Sequence, residues 1–201
     1  MQPKPAPLSP AQYLAWEEQS PVKYEYVSGE MYAQSGARRA HNLIAGNLYS
    51  RAWTAAKARP GCQVFGSDMK VYVAARDSFY YPDLSVCCDP ADRHDLYLTH
   101  PCFIVEVTSA STVLIDRREK RASYLTLDSL REYVIVDQSR MRVDVCRRES
   151  VGWRGYVLAY PDEIVECSCL ALRIELAQIY EGVDLRAPGI AEPVPEYAAA
   201  G

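Results

Sequence analysis

The sequence predicts an α/β protein of the α+β type, in which a central mixed β-sheet is flanked by helices. Three observations lead to this prediction. Two amphipathic helical segments occur in the first 60 residues. Runs rich in β-branched and aromatic residues follow them, as is typical of strands. A further helical segment near residue 120 divides these runs, an order that favours helices packed on the faces of one sheet.

The size and composition of the chain indicate a single folded domain. The 201 residues are enough for a real core, and 49% hydrophobic and 24% charged residues are ordinary for a globular protein. We expect a flexible N-terminus at residues 1–8, one domain at 9–185, and a flexible tail rich in proline and alanine at 186–201. Since neither a signal peptide nor a membrane-spanning run is evident, we expect a cytoplasmic protein with no membrane partner.

Charge and cysteine usage exclude two classes of protein. A net charge of -4 argues against a general nucleic-acid coat protein, although an enzyme with a local basic patch stays open. The seven cysteines have spacings that suggest neither a disulfide framework nor a zinc site. We therefore expect reduced, mostly buried thiols.

The first helix has a clear start signal. Ser9 can cap it, Pro10 suits its first position, and Gln12 can complete a capping box, so a helix to about Gln19 is predicted. Residues 22–34 then alternate like a hairpin with a Ser-Gly turn.

A long helix is predicted from about Gly36 to Ala58, where Pro60-Gly61 ends it. Ile44 and Leu48 lie on its apolar face, and His41 shares that face, so we expect its side chain to point inward.

The residue pattern predicts mainly strands after the long helix. Before a helix from about Asp116 to Leu127, the predicted strands occupy residues 64–75, 79–88 and 102–109. After it they occupy residues 132–137, 142–148 and 155–160, with a turn at Asp137 to Arg140. Residues 170–180 close the domain as a strand or a short helix.

Asp83 and Glu106 are the acidic residues that stand out within these strands. Asp83 follows Pro82 inside a strand-like run, where a bulge can re-aim a side chain, but Pro-Asp is also a common turn pair. Glu106 lies within an apolar strand, either on a solvated face or in a polar pocket that must supply a partner such as a metal ion.

Lys120, Glu25 and His41 are further candidates with open alternatives. Lys120 lies 14 residues after Glu106, and either belongs to a solvated helix face or points inward with Tyr124. Asp116, one helical turn earlier, could pair with it. Glu25 could pair with Lys23 or another cation across the hairpin, and an inward His41 could be a plain core residue.

Taken together in chain order, these motifs carry a resemblance. They are Glu25 and Gly29-Glu30, His41, Tyr81-Pro82-Asp83, residues 104–109 (IVEVTS) with Ser111-Thr112, Asp116, Lys120, Tyr124 and residues 132–137 (EYVIVD). The run resembles the Uma family of restriction-endonuclease-like proteins in the PD-(D/E)XK nuclease superfamily, over residues 10 to 180.

The resemblance implies a restriction-endonuclease-like fold and a Mg²⁺-dependent (or Mn²⁺-dependent) endonuclease that hydrolyses DNA. It implies that Asp83, Glu106 and the main-chain carbonyl of Val107 bind the metal, with Lys120 as the catalytic lysine. The sequence departs from the superfamily pattern in one place, because Thr108 occupies the position two residues after the glutamate where the lysine usually lies.

Two other functions stay open at this point. The first is a non-catalytic module on a nuclease fold that binds nucleic acid or protein, which the threonine and the acidic net charge favour. The second is a hydrolase with a small phosphate substrate. A homodimer is also an expectation, because related nucleases often act as dimers.

Overall fold

The computed structural model describes residues 7–34, 36–108 and 116–185, except for the side chains of residues 116 and 117. The helices are α1 (Pro10–Glu17), α2 (Arg39–Ala56), α3 (Arg121–Tyr124) and α4 (Leu176–Ile179). The first seven strands are β1 (Tyr24–Val27), β2 (Glu30–Ala33), β3 (Gln63–Gly66), β4 (Lys70–Val73), β5 (Ser78–Tyr80), β6 (Leu84–Cys87) and β7 (Tyr97–Leu98). The remaining strands are β8 (Pro101–Thr108), β9 (Glu132–Asp137), β10 (Val143–Arg148), β11 (Trp153–Leu158), β12 (Ile164–Cys167) and β13 (Leu172–Glu175).

The strands form two larger sheets and one small one. The six-stranded sheet has the order β11-β10-β9-β8-β6-β3 and is antiparallel except for the parallel pair β8 and β9. The five-stranded sheet has the order β2-β1-β5-β4-β7, with β4 and β7 parallel. Strands β12 and β13 form a separate hairpin. The predicted α+β class with mixed sheets and flanking helices is therefore confirmed.

Alternation along β8 assigns its side chains to two different cores. Val105 and Val107 pack with Ile44 and Leu48 of α2 on one face of the six-stranded sheet. Ile104 packs on the other face, in a cluster that includes Tyr124. Because Glu106 lies two residues after Ile104, its side chain belongs to that second face, and only 5% of the residue is exposed. The alternative of a solvated face for Glu106 is therefore excluded.

The local signals at the N-terminal end are confirmed. The Ser9 hydroxyl accepts from the Gln12 main chain, and the Gln12 side chain accepts from the Ser9 main chain, as in a capping box. Ser28 and Gly29 both adopt positive φ angles, 49° and 94°, which fits the tight turn between β1 and β2. The main-chain N–H of Leu8 donates to the Gly29 carbonyl in this turn.

Several strand and helix boundaries were wrong. The strand predicted at 64–75 is two strands, because residues 67–69 form a turn. The strand predicted at 79–88 is also two strands, because residues 81–83 include Pro82, which has no N–H to donate to a neighbouring strand. Strands β7 and β12 were missed. The helix predicted at 116–127 is a π-helical segment, Asp116–Lys120, followed by the short α3. Residues 170–180 contain both a strand and a helix.

The expectation of reduced thiols was wrong for four of the seven cysteines. Cys62 is joined to Cys88 and Cys102 to Cys169 by disulfides, although these residues are far apart in sequence. Spacing could not reveal the pairs because the sheet brings them together. The other three cysteines are free and buried.

Among the described helices, none combines the length and the apolar composition that a membrane-spanning helix requires. Most of the expected flexible ends, residues 1–6 and 186–201, lie outside the described residues.

We predict that Leu48→Ala lowers the free energy of unfolding by about 2–5 kcal/mol, because a 1%-exposed side chain between α2 and the sheet leaves a cavity. Ser50→Ala, at an exposed position of the same helix, should change it by less than about 0.5 kcal/mol. Urea denaturation measures both. Equal effects of the two substitutions would contradict the packing of α2 described above.

Candidate active site

A cleft of about 640 Å³ opens at one end of the six-stranded sheet. Its walls include the loop that joins α1 to β1, the start of α2 and the loop that precedes β6. The end of β8 and the π-helical segment also line it. Five of the residues singled out in the sequence line it: His41, Asp83, Glu106, Val107 and Lys120. They come from four separate segments, so only the tertiary fold brings them together.

Asp83 is held in place by two partners. Strand β6 begins at Leu84, which pairs with Val105 of β8. Beyond that pair the Asp83 Oδ2 atom accepts a hydrogen bond from the main-chain N–H of Val107, at 2.6 Å. The Asp83 Oδ1 atom lies 2.8 Å from His41 Nε2. The Pro-Asp pair therefore ends the strand and also fixes a carboxylate beside the residue that follows Glu106.

Lys120 lies between two buried carboxylates from different sheets. Its Nζ atom is 2.8 Å from Glu25 Oε1 and 3.6 Å from Glu106 Oε1. Glu25 also accepts from the main-chain N–H of Tyr81, at 3.0 Å. All three charged side chains are less than a tenth exposed. The alternatives of a solvated lysine and of a Glu25–Lys23 pair are therefore excluded.

Tyr124 is a further partner of Glu106. Its hydroxyl donates to Glu106 Oε1 at 3.0 Å from a fully buried position on α3. Burial, together with the charges of Glu106 and Glu25, raises the pKa of Tyr124 well above its ordinary value. The hydroxyl therefore stays protonated and donates over the whole physiological pH range.

Sequence reasoning missed a second buried ion pair behind the cleft. Lys70 Nζ lies 2.7 Å from Glu17 Oε2 and donates to the Tyr81 hydroxyl at 2.9 Å. The Tyr81 hydroxyl also donates to Glu17. Burial is the largest cause that raises the pKa of Tyr81, and the hydrogen bond to the Glu17 carboxylate is the second. The sequence contained one indication of this pair, because Lys70 is the charged residue at the start of the apolar run 70–73. The pair fixes Tyr81, which lines the cleft and whose N–H binds Glu25.

Gln138 was also missed. It follows β9, lines the cleft, and has a buried Oε1 atom without a hydrogen-bond partner among the described residues. The Thr108 hydroxyl, at the usual lysine position, is buried and likewise lacks a described partner. The side chain of Asp116 lies outside the described residues, so its predicted pairing with Lys120 stays a prediction.

We predict that Lys120→Met destabilises the fold by about 3–5 kcal/mol, because it leaves two buried carboxylates without their shared cation. Urea denaturation in the presence of a chelator measures this loss.

Arg118→Met is the matched control, since Arg118 is an exposed cation of the same segment. It should change stability by less than about 0.5 kcal/mol. A Lys120→Met loss as small as that of the control would show that Lys120 is solvated.

The comparisons with known proteins agree with one another. The family model described as "Putative restriction endonuclease", Uma2, matches residues 10–178. The uncharacterized protein slr1290 of Synechocystis is 32% identical over 179 residues, which cover 88% of this chain and 93% of that protein. The uncharacterized protein sll1609 of the same organism is 34% identical over 154 residues, covering 75% and 85%.

A solved structure has the same fold. The crystal structure of "a putative nuclease belonging to DUF820" from Anabaena variabilis superposes with a TM-score of 0.71 at 17% identity. The match covers 87% of this chain and 98% of that one. The family match spans most of the domain and includes every candidate site residue. The chain therefore belongs to the Uma2 family of restriction-endonuclease-like proteins.

Proposed function

We propose that the protein is a metal-dependent endonuclease that hydrolyses phosphodiester bonds in DNA, with Mg²⁺ or Mn²⁺ as its cofactor. The observation that carries the proposal is the convergence of Asp83, Glu106 and Lys120 on one cleft. Family membership and fold supply the nuclease class. The choice of metal and of DNA rests on the chemistry of the cleft and on the family resemblance. A cytoplasmic location and a homodimer belong to the same proposal and rest on the sequence alone.

The donor groups of the cleft fit a divalent cation. Glu25, Asp83 and Glu106 bring three carboxylates to the site, whereas Lys120 is the lysine that contacts two of them. Carboxylate oxygens are the ligands that Mg²⁺ prefers, so Asp83 and Glu106 suit a divalent cation in this cleft. Gln138 also lines this cleft, and its buried Oε1 atom has no hydrogen-bond partner within the described part of the chain.

Asp83, Glu106 and Val107 would hold the metal. Within a strand, the N–H and C=O of one residue point to the same side. Because the Val107 N–H points at Asp83, its carbonyl faces that side as well, beyond the start of β6. Each Asp83 oxygen has a second lone pair beyond the hydrogen bond that it accepts. A divalent metal at these oxygens would supply a Lewis acid and lower the pKa of bound water.

Lys120 takes the role of the superfamily lysine, whose usual position is occupied by Thr108. Its ammonium group lies within 3.6 Å of a Glu106 oxygen, although it comes from a different element of the chain. There it can orient a water molecule and stabilise the negative charge that develops on a phosphate. Glu25 of the five-stranded sheet positions it, and the main-chain N–H of Tyr81 holds Glu25 in place.

The mouth of the cleft suits a phosphodiester backbone. Lys23 and Arg38 line it, although the whole chain has a net charge of -4. The first turn of the 18-residue helix α2 lies in the same wall, and its N-cap residue makes no side-chain cap hydrogen bond within the described part of the chain. Cations and a helix N-terminus both attract phosphate. The local charge therefore supports a nucleic-acid substrate in spite of the acidic total.

We predict that Asp83→Asn and Glu106→Gln each reduce Mg²⁺- or Mn²⁺-dependent cleavage of supercoiled plasmid by more than about 100-fold, because each removes a charged metal ligand. Asp95→Asn and Glu149→Gln change exposed carboxylates outside the cleft and should leave cleavage intact. Gel analysis of plasmid relaxation measures all four. Wild-type cleavage by both cleft variants would reject the site.

We predict that His41→Ala weakens the apparent affinity for Mn²⁺ by about 10–100-fold, because Asp83 loses the ring nitrogen that fixes one of its oxygens. His41→Gln, which can still donate to Asp83, should recover part of the loss. The readout is the Mn²⁺ concentration that gives half-maximal cleavage. An unchanged Mn²⁺ dependence with a lower maximal rate would instead assign His41 to the chemical step.

A non-catalytic binding module is the second candidate, and Thr108 at the usual lysine position is the observation that favours it. Calorimetry separates the two functions. Absence of Mg²⁺ and Mn²⁺ binding at millimolar concentration would favour the module, whereas binding that Asp83→Asn removes would favour the nuclease.

A further inference from the structure

A cluster of cysteines lies at the end of the six-stranded sheet opposite to the cleft. Cys88 follows β6 and Cys102 belongs to the start of β8, whereas Asp83 and Glu106 lie at the other ends of the same strands. Cys169 reaches the cluster from the turn after β12. The two disulfides of the protein therefore meet at one place.

The sulfur atoms are close enough to share one ion. The Sγ atoms of Cys88, Cys102 and Cys169 all lie within 4.8 Å of one another. Cys88 and Cys102, which belong to different disulfides, are 3.8 Å apart. Four thiolates arranged as a tetrahedron around zinc, with Zn–S bonds of about 2.3 Å, are separated by roughly 3.8 Å. Two disulfides that served only as separate cross-links would not need this proximity.

Two more cysteines border this group of three. Cys62 is the disulfide partner of Cys88, and the Cys167 Sγ atom lies 3.6 Å from that of Cys169. Each is a candidate for a fourth sulfur ligand, although neither belongs to the group whose sulfurs all lie within 4.8 Å of one another. The chain spacing of these residues resembles no common zinc motif, so this cluster could not be predicted from the sequence.

The cluster is accessible from solvent. A second cleft, of about 460 Å³, is lined by Cys88, Cys102 and Cys169 together with His100 and Asp89. It offers an entry path for an ion and two further donor groups beside the sulfurs. Thiolates select soft or borderline cations such as Zn²⁺ over Mg²⁺, so this site would not compete for the metal of the catalytic cleft.

We propose that the reduced protein binds one zinc-like cation through the thiolates of Cys88, Cys102 and Cys169, with Cys62 or Cys167 as the fourth ligand. A thiol or phosphine reductant gives two electrons to each disulfide, which takes up two protons and becomes two thiols. Binding of the cation then releases the protons of the coordinating thiols. The disulfides join the segment before β3 to the end of β6, and the start of β8 to the turn after β12. The cation would instead join the end of β6, the start of β8 and the turn after β12 through one ion.

The test uses the full-length protein, reduced with a phosphine and freed of it under anaerobic conditions. Titration with Co²⁺ should give one equivalent of a tetrahedral thiolate complex, seen by its sulfur-to-cobalt charge-transfer band, and Zn²⁺ should abolish the band. Cys88→Ser and Cys169→Ser should lose it. Cys146→Ser changes a buried free cysteine on a different strand and should retain it. Serine variants of Cys62 and Cys167 assign the fourth ligand.

A measurement on the wild-type chain covers the case in which a variant does not fold. Zn²⁺ should protect Cys88, Cys102 and Cys169 of the reduced protein from alkylation, as read by mass spectrometry. If the reduced chain unfolds alone but folds with Zn²⁺, the proposal is also supported. Absence of the cobalt band, equal alkylation with and without Zn²⁺, or unfolding that Zn²⁺ does not reverse would each overturn it.

Discussion

A single ammonium group, that of Lys120, joins the two larger sheets at the candidate active site. Glu25 comes from the five-stranded sheet and Glu106 from the six-stranded sheet, and both carboxylates are buried against this cation. Buried charges without a partner cost several kcal/mol, so the positions of these two carboxylates depend on the lysine. The aromatic ring of Tyr80 lies against the same ammonium group, and the Tyr124 hydroxyl donates to Glu106. The contact between the two sheets at this point therefore rests on one cation.

The other half of the site depends on where strand β6 begins. Pro82 cannot donate to the ladder, so β6 starts only at Leu84, and the Val107 N–H is left for the side chain of Asp83. Packing of α2 on the opposite core then brings His41 to the second Asp83 oxygen. Pro82-Asp83 therefore ends a strand and also holds a carboxylate in the cleft.

Much of the fold could be predicted because the relevant signals are local. The capping residues of α1, the Ser-Gly turn and the apolar face of α2 depend on neighbours in sequence. The two separate sheets, β7 and the disulfides could not be predicted, because they depend on contacts between distant segments.

The candidate site shows the same division between local and distant information. Residue pattern alone left Asp83 and Glu106 open to ordinary structural explanations, and the family resemblance selected them. Burial of Glu106 and the contacts of Lys120 required the structure, since alternation could not say which face of β8 is covered. Glu17, Lys70 and Gln138 carry no motif, and only their positions relate them to the cleft.

The two ends of β6 and β8 differ in the chemistry that they offer. One end carries oxygen donors and the other carries sulfur, so hard and soft cations would separate between them. The most direct test of the central claim is a crystal of the protein soaked in Mn²⁺, with the ion located by its anomalous scattering. We expect one peak at coordination distance from the Asp83 and Glu106 carboxylates and the Val107 carbonyl. A cleft without a peak, in a crystal that shows Mn²⁺ at other carboxylates, would contradict it.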